Sequence, residues 1–514
     1  MKTRSLILPL TVLPFIAPGI IQAADTPQKR PNIVLFMVDD MGWEDTSLPF
    51  WKERTQYNDI FETPNMERLA QRGMMFTQAY ASSISSPSRC SLFTGSNAAR
   101  HRVTNWTLEK DGSNDGISDI IELPEWNVNG ICQVSNIPKT YQATSLAQLL
   151  KDNGYHTIHC GKAHLGARNT PGENPYHMGF EVNIAGHAGG GPATYLSEEN
   201  FGFRADGQAN SRFAIPGLEK YWGKDIFLTE ALTQEATLAL DKASQYEQPF
   251  FLYMAHYAVH VPIDKDKRFY QHFINKGLSP KEAAYAALVK GMDKSLGDLM
   301  DYLDKYNLTD NTIIIFMSDN GGLAAEPGWR DGKVHTQNYP LNSGKGSAYE
   351  GGIREPMIIS WPGKVKPQSK CDSYLIIEDF FPTLLEMAGI KNYKTIQKVD
   401  GKSFMPLLLQ TGNPSERRSL FWNCPNIWGP TGPGIGATCS IRKGDWKLVY
   451  YYETGNKELF NIKEDIGEKH NQAANKQKLV KKLSKELGSF LRKANGQRPS
   501  FKATGLPCPW PDEI

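Results

Sequence analysis

Residues 32–38 read NIVLFMV, a continuous apolar run of the kind expected of a strand buried on both faces. Similar runs lie at Phe250 to Met254, Ile313 to Met317 and Met357 to Trp361, with further strand candidates at Met74 to Ala81 and Tyr155 to Cys160. Between them the pattern turns helical. Thr63 and Pro64 read as N-cap and first helical residue, with Gly73 as the stop. A helix around Leu146 to Asn153 ends at Gly154, and long helical patterns span Leu228–Ala243 and Pro280–Tyr306. Strands alternating with helices predict an α/β fold, a large mixed, mainly parallel sheet sandwiched by helices.

A chain of 514 residues is too long for one small core, so a large domain with a smaller appendage is expected. The composition shifts after about residue 415. A Gly/Pro-rich stretch from Pro430 to Gly436 leads into IRKGDWKLVYYY, which reads as a hairpin turning at Lys443-Gly444-Asp445. A short strand around Leu459 to Ile462 and a charged helix from about Lys476 to Arg492 complete a small antiparallel sheet with one helix. At the other end, Lys2 and Arg4 precede an apolar run from Leu6 to Ile21 that closes on Ala23 and Ala24. That order of basic, apolar and small residues is a signal peptide's. The run is short and broken by Pro9, Pro14 and Pro18, which argues against a stable membrane anchor. The expected division is a signal peptide at 1–24, a main domain at 25–415 and a C-terminal subdomain at 416–514.

Lys plus Arg number 57 against 55 Asp plus Glu, so no nucleic acid or other polyanionic partner is indicated by overall charge. The seven cysteines are irregularly spaced and form no zinc-like pair; Cys424 and Cys439 are the nearest two that a bridge would join.

Chemistry gathers where strands end. Asp39 and Asp40 follow the first strand directly, and Asp319 and Asn320 follow IIIFM. Carboxylates at the C-terminal ends of strands suit a ligand crevice, and adjacent carboxylates call for a cation. Oxygen donors without nearby cysteine or histidine favour calcium or magnesium over zinc. Ser85 ends a strand-like segment while Pro87 begins a helix, which puts a small nucleophile beside a helix N-terminus. Arg89 lies one turn further on. Lys162 and His164 sit in GKAHLG after another strand, His256 and His260 in HYAVHVP, and Lys345, Glu350 and Arg354 in GKGSAYEGGIREP.

These segments, in this order, resemble the sulfatases. SSPSRCSLFTG is similar to the family signature, a Cys or Ser followed at fixed spacing by Pro, a small residue, Arg and Thr-Gly. Cys90 does not fit, because Leu92 stands where proline is required. GKAHLG departs from the family by having Ala163 at a usual tryptophan, and HYAVHVP by having Ala258-Val259 where Ala-Pro is common. The resemblance runs from about Pro31 to Asn471. It implies an alkaline-phosphatase-like fold and one Ca²⁺ held by Asp39, Asp40, Asp319, Asn320 and residue 85, with Ser85 oxidised to formylglycine. It further implies a sulfate site of Arg89, Lys162 and Lys345, with His164 and His260 moving protons. His256 reads as structural. A serine-type signature implies a maturase that works without oxygen, and an exported, periplasmic or secreted bacterial enzyme.

The expected activity is exo-acting hydrolysis of a sulfated carbohydrate. The alternatives are a phosphodiesterase or phosphonate hydrolase of the same superfamily, and a non-catalytic sulfated-glycan-binding protein. His177, about a dozen residues past His164, is expected at the site's rim, selecting a terminal sulfated galactose or N-acetylgalactosamine, and Arg354 is a second substrate-binding candidate. Trp106 and Trp126 in the Asn105–Tyr141 insertion, and Trp329, Arg330 and His335 in Leu323–Asn342, are further candidates for sugar contact.

Overall fold

A computed structural model describes residues 29–324 and 338–514. The predicted leader, with Trp329, Arg330 and His335, lies outside the described residues. No helix among the described residues is long and apolar enough to cross a membrane.

The main sheet runs in the order Ser369–Cys371, Met74–Tyr80, Arg354–Ser360, Thr312–Ser318, Asn32–Val38, Phe250–Ala255, His156–Gly161, Val182–Ile184, and Leu375–Ile376 also pairs with Met74–Tyr80. From Thr312–Ser318 to Val182–Ile184 every pairing is parallel, whereas Arg354–Ser360 is antiparallel to both neighbours. The sheet is therefore mixed, as expected. NIVLFMV is its central strand, buried at every residue. Ile33, Leu35 and Met37 face one core, with helices Ser85–Thr94, Leu146–Asp152 and Phe380–Met387. Val34, Phe36 and Val38 face the other, with Pro64–Arg72, Leu228–Ala243 and Pro280–Lys305. The period of two along the strand thus feeds two cores, which is why the sequence shows a continuous apolar run.

The C-terminal sheet is antiparallel, in the order Ser419–Cys424, Thr438–Lys443, Trp446–Tyr451, Lys457–Asn461. Helix Gln477–Lys493 covers it with Leu483, Leu487 and Leu491, a four-residue spacing that keeps one face on Ile441, Leu448 and Leu459. Trp422 in its first strand donates Nε1–H to the Ala81 carbonyl at 2.8 Å, tying this sheet to the loop before Ser85. All seven cysteines are free thiols; Cys424 stands opposite Thr438 and Cys439 opposite Asn423.

Candidate active site

Five adjacent strands deliver their polar residues to one edge of the main sheet. Asp39 and Asp40, Asp319 and Asn320, Lys162 and His164, and His260 all follow the C-terminal ends of parallel strands. Arg354–Ser360 runs the other way, so its contribution to the same edge, Lys345, comes from the segment before it. Ser85 opens the helix Ser85–Thr94 and is 2 % exposed.

Ser85 Oγ donates within reach of Asp39 Oδ1 at 3.2 Å and Asn320 Oδ1 at 3.0 Å, and it accepts from Lys162 Nζ at 3.0 Å. Lys162 Nζ also lies 2.7 Å from Asp39 Oδ2. Lys345 Nζ pairs with Asp40 at 2.8 Å, and Arg89 Nε with Asp319 Oδ2 at 2.9 Å. Arg89 Nη1 donates to the Lys162 carbonyl and to the Tyr253 hydroxyl, while its Nη2 is buried without a partner. Oxygens of Asp39, Asp40 and Asp319 lie within 4.8 Å of one another. Burial, with repulsion from Asp319 and Asp40, pushes Asp39 up to about 8 even against Lys162. Asp40 moves the other way; burial would raise it, but Lys345 and His260 hold it low. Asp40 (φ 59°) and His164 (φ 53°) both occupy the left-handed region, a cost carried where side chains must be aimed.

The two histidines are fixed differently. His164 Nε2 lies 2.9 Å from the Thr107 carbonyl, so it carries the proton and leaves Nδ1 buried and unpartnered. His260 Nδ1 donates to the Val261 carbonyl at 2.7 Å, which leaves Nε2 facing Asp40 Oδ2 at 3.7 Å. Burial first, then the Lys345 ammonium, holds His260 down to about 3. Burial and the Lys162 charge push His164 lower than an ordinary histidine.

Above these groups opens a cavity of about 250 Å³, lined among others by Ser85, His164, His260, Lys345, Trp106 and Trp428. Three elements of this wall were not anticipated. Trp428 arrives from the C-terminal part of the chain. Phe213 comes from the loop after residue 200. Gly190 and Gly191 pass so close to the rings of His164 and His260 that a Cβ on either would overlap them. The signal for the last was present as the triplet Gly189-Gly190-Gly191, since clustered glycines mark close backbone approach.

His177 does not reach this site. It is exposed, and its Nδ1 accepts no substrate-facing role but pairs with the Pro171 carbonyl at 3.1 Å within its own loop. The reason is topological. Val182–Ile184 runs parallel to His156–Gly161, so the connection must return to the far end of the sheet, and His177 lies at the end of that return. Arg354 also points away. Its Nε donates to the Thr77 carbonyl at 2.8 Å, Nη1 lies 3.2 Å from Glu350, and the guanidinium stacks 4.4 Å over the Trp43 ring. It buttresses the Lys345 loop. His256 is buried, 2.8 Å from Ser295 Oγ and tilted against Phe36, consistent with a packing role. Trp126 is 3 % exposed and donates to Asp115, so it anchors its loop.

Known proteins share the sequence pattern and the fold. The sulfatase family's sequence profile matches residues 31–390, and that of the N-sulphoglucosamine sulphohydrolase C-terminal region matches 344–494. The chain is 30% identical to the N-acetylgalactosamine-6-sulfatase of Canis lupus familiaris, over 84% of this chain and 81% of that one. It is 28% identical to the N-acetylgalactosamine-6-O-sulfatase of Bacteroides thetaiotaomicron, over 95% of this chain and 99% of the other. Among solved structures, Ps i-CgsB in complex with k-i-k-neocarrahexaose superposes with a TM-score of 0.70 at 29% identity, covering 90% of this chain and 93% of that one.

Proposed function

The chain belongs to the sulfatase family, enzymes that hydrolyse sulfate esters, and from that membership we propose an exo-acting carbohydrate sulfatase whose nucleophile is made from Ser85. The observation that carries the reading is the meeting of Ser85 Oγ, three buried carboxylates and three buried cations in one cluster, of which Ser85, Asp40 and Lys345 line a small cavity. The cavity's modest size supports one terminal sugar rather than a through-passing chain. Half-buried Trp106 and Trp428 give that sugar apolar walls. Relatives named for N-acetylgalactosamine 6-sulfate support a terminal sulfated galactose or N-acetylgalactosamine as the substrate. Export to the periplasm or beyond is supported by the leader-like residues 1–24.

The donor set fits a hard divalent cation. Asp39, Asp40, Asp319, the Asn320 amide oxygen and the residue-85 oxygen are all oxygen donors, and Asp39 is driven up first by burial and then by the charges of Asp319 and Asp40, which a cation would offset. Calcium held there would neutralise charge beside the oxygen nucleophile, a hydroxyl of the hydrated formylglycine made from Ser85. The chain's own residues do the rest. Arg89, Lys162 and Lys345 hold the sulfate oxygens, with Arg89 and Lys162 fixed by Asp319 and Asp39 so that little reorganisation is needed. His260 must first take a second proton on Nε2, which Asp40 at 3.7 Å and the negative charge of a bound sulfate ester both favour. As the S–O bond to the sugar breaks it gives that proton to the departing oxygen, while its other nitrogen, anchored on Val261, keeps the ring aimed. His164 accepts a proton through Nδ1, the nitrogen its Thr107 contact leaves bare.

The test is to express the chain with and without an anaerobic serine-type maturase, and to follow the Ser85 peptide by mass spectrometry alongside sulfate release from 4-nitrophenyl sulfate and N-acetylgalactosamine 6-sulfate. Turnover should track oxidation of Ser85. Full activity with an intact serine side chain removes the nucleophile assignment, and turnover of phosphate esters or phosphonates but not sulfates removes the sulfatase reading.

A further inference from the structure

Just outside the cavity wall, two arginines share one acid. Arg168 Nη1 lies 3.4 Å from Glu109 Oε1, and Arg212 Nη1 lies 3.9 Å from the same oxygen. All three side chains are more than two-fifths exposed, so the pairs are loose and each contributes little to stability. Among the described residues, Glu109 is the only carboxylate within 4 Å of either guanidinium, which leaves one positive charge in excess.

The backbone under this pair is firmly tied to the site. Arg168 N–H donates to the Leu108 carbonyl at 2.8 Å, next to Thr107, whose carbonyl holds His164. Arg212 precedes Phe213, which lines the cavity, and its guanidinium sits 5.5 Å from the centre of that ring. The Phe213 carbonyl accepts from Ala193 N–H at 2.8 Å, two residues past Gly191. Glu109 lies three residues beyond Trp106, another aromatic residue of the wall. Each member of the cluster is thus one short step from a residue that walls the sugar cavity, and none lines the cavity itself.

We propose that Arg168 and Arg212 form a subsite for a second anionic group, a sulfate or a carboxylate, on the sugar next to the one held in the cavity. The inference rests on the carbohydrate-sulfatase reading and names the substrate class more narrowly: glycans carrying acid groups on neighbouring residues. Guanidinium forks match the planar or tripodal oxygens of both groups. Because the forks rest on a weak, exposed pairing with Glu109, an incoming anion displaces little to reach them. Glu109 keeps the two cations spaced while the subsite is empty, and it makes the subsite selective against neutral neighbours only weakly.

The probes are two sulfated disaccharides that differ in one group, one with sulfate on the terminal sugar alone and one with sulfate on both sugars, titrated calorimetrically into the chain at low and moderate salt. The unaltered protein should bind the disulfated probe at least tenfold more tightly, with the preference shrinking as salt rises. In the R168A/R212A double variant the preference should vanish while the melting temperature is kept. Glu109→Gln should strengthen binding of the disulfated probe, because it removes the competing acid. Equal affinity for the two probes, binding of neither, or a preference that survives in the double variant overturns the proposal. Sulfate release from 4-nitrophenyl sulfate by the matured, unaltered enzyme is scored separately, so failure of the sulfatase reading is told apart from failure of the subsite.

Discussion

Gly190 and Gly191 set the positions of two histidines without touching substrate through any side chain of their own. A Cβ on Gly190 would overlap Cε1 of His164, and one on Gly191 would lie 2.6 Å from Nδ1 of His260. Neither glycine has a positive φ, so alanine is sterically at odds with the rings and not with the backbone. Gly190→Ala and Gly191→Ala should each lower kcat by about 10- to 100-fold, since small misplacements of a reacting group cost that much. The melting temperature should move little. A large loss of stability with kcat preserved in the folded fraction would show that the rings tolerate the methyl group. Asp39 offers a second test at this scale. Asp39→Ala should abolish calcium binding in a calorimetric titration, and stoichiometric zinc in place of calcium in active protein would remove the cation assignment. Asp39, Asp40, Asp319 and Asn320 were legible because each directly follows a recognisable strand. Trp428 was not, because nothing near it in the sequence says that a residue so distant from Ser85 folds over the same cavity.

The two sheets are joined by buried charge. Lys447, in the strand Trp446–Tyr451, lies 3.2 Å from Glu350 and 2.8 Å from Glu468, with its side chain wholly buried. Glu350 also accepts from the Tyr80 hydroxyl at 2.6 Å and from Arg354, while Glu468 caps the Glu350 amide at 2.6 Å. The helical turn Glu350–Ile353 that closes the Lys345 loop is therefore held from the C-terminal sheet as well as from its own strand. Lys447→Met would leave two buried acids facing each other, which costs about 3–5 kcal/mol. Lys443→Ala in the same sheet removes only a part-exposed pair with Glu486 and should cost less than about 1 kcal/mol. Urea unfolding of both variants checks the contrast; a Lys447 variant as stable as the Lys443 variant would deny the network its role. Most elements here could be read from apolar runs and glycine stops. The strand Ser419–Cys424 could not, since its burial is mixed and it leads straight into Pro425. Nor could the reversed direction of Arg354–Ser360, because composition does not record which way a strand runs.

Over the whole molecule, the features that misled and those that held follow from the same parallel topology. It gathers the ends of consecutive parallel strands at one edge, so motifs found after strands converge, and it returns each connection to the opposite edge, so His177 is carried away. The same burial that builds two cores around this sheet also encloses histidines. Burial holds His101, His159 and His256 down to about 3, well under the value near 6.5 that they have in an unfolded chain. His101 has a local reason as well. Its Nδ1 accepts from the Val103 amide at 3.0 Å and its Nε2 faces Ser91 Oγ at 3.0 Å, so a second proton would set donor against donor. Between about pH 6.5 and 3 the unfolded chain binds protons that the native one refuses. Stability from each such histidine is therefore complete above pH 6.5 and is lost as pH falls through that window. The loss is about 2 kcal/mol per histidine at pH 5, from 1.36 kcal/mol for each pH unit. Buried carboxyls oppose this trend: burial pushes Glu378 up to about 7 and Asp293 up to about 6, and these favour the native state as pH falls. The net slope is thus a difference of opposed groups, and the informative quantity is how one substitution changes it. His101→Gln removes the titrating ring. Its melting temperature should lie below that of the unaltered protein at pH 7.5, where a packed ring and two hydrogen bonds are lost. The gap should narrow steadily as pH is lowered to 5, where the unaltered protein bears the proton-linked cost and the variant does not. A gap that stays constant from pH 7.5 to 5, followed by scanning calorimetry in one buffer series, would mean that His101 is protonated alike in the folded and unfolded chains.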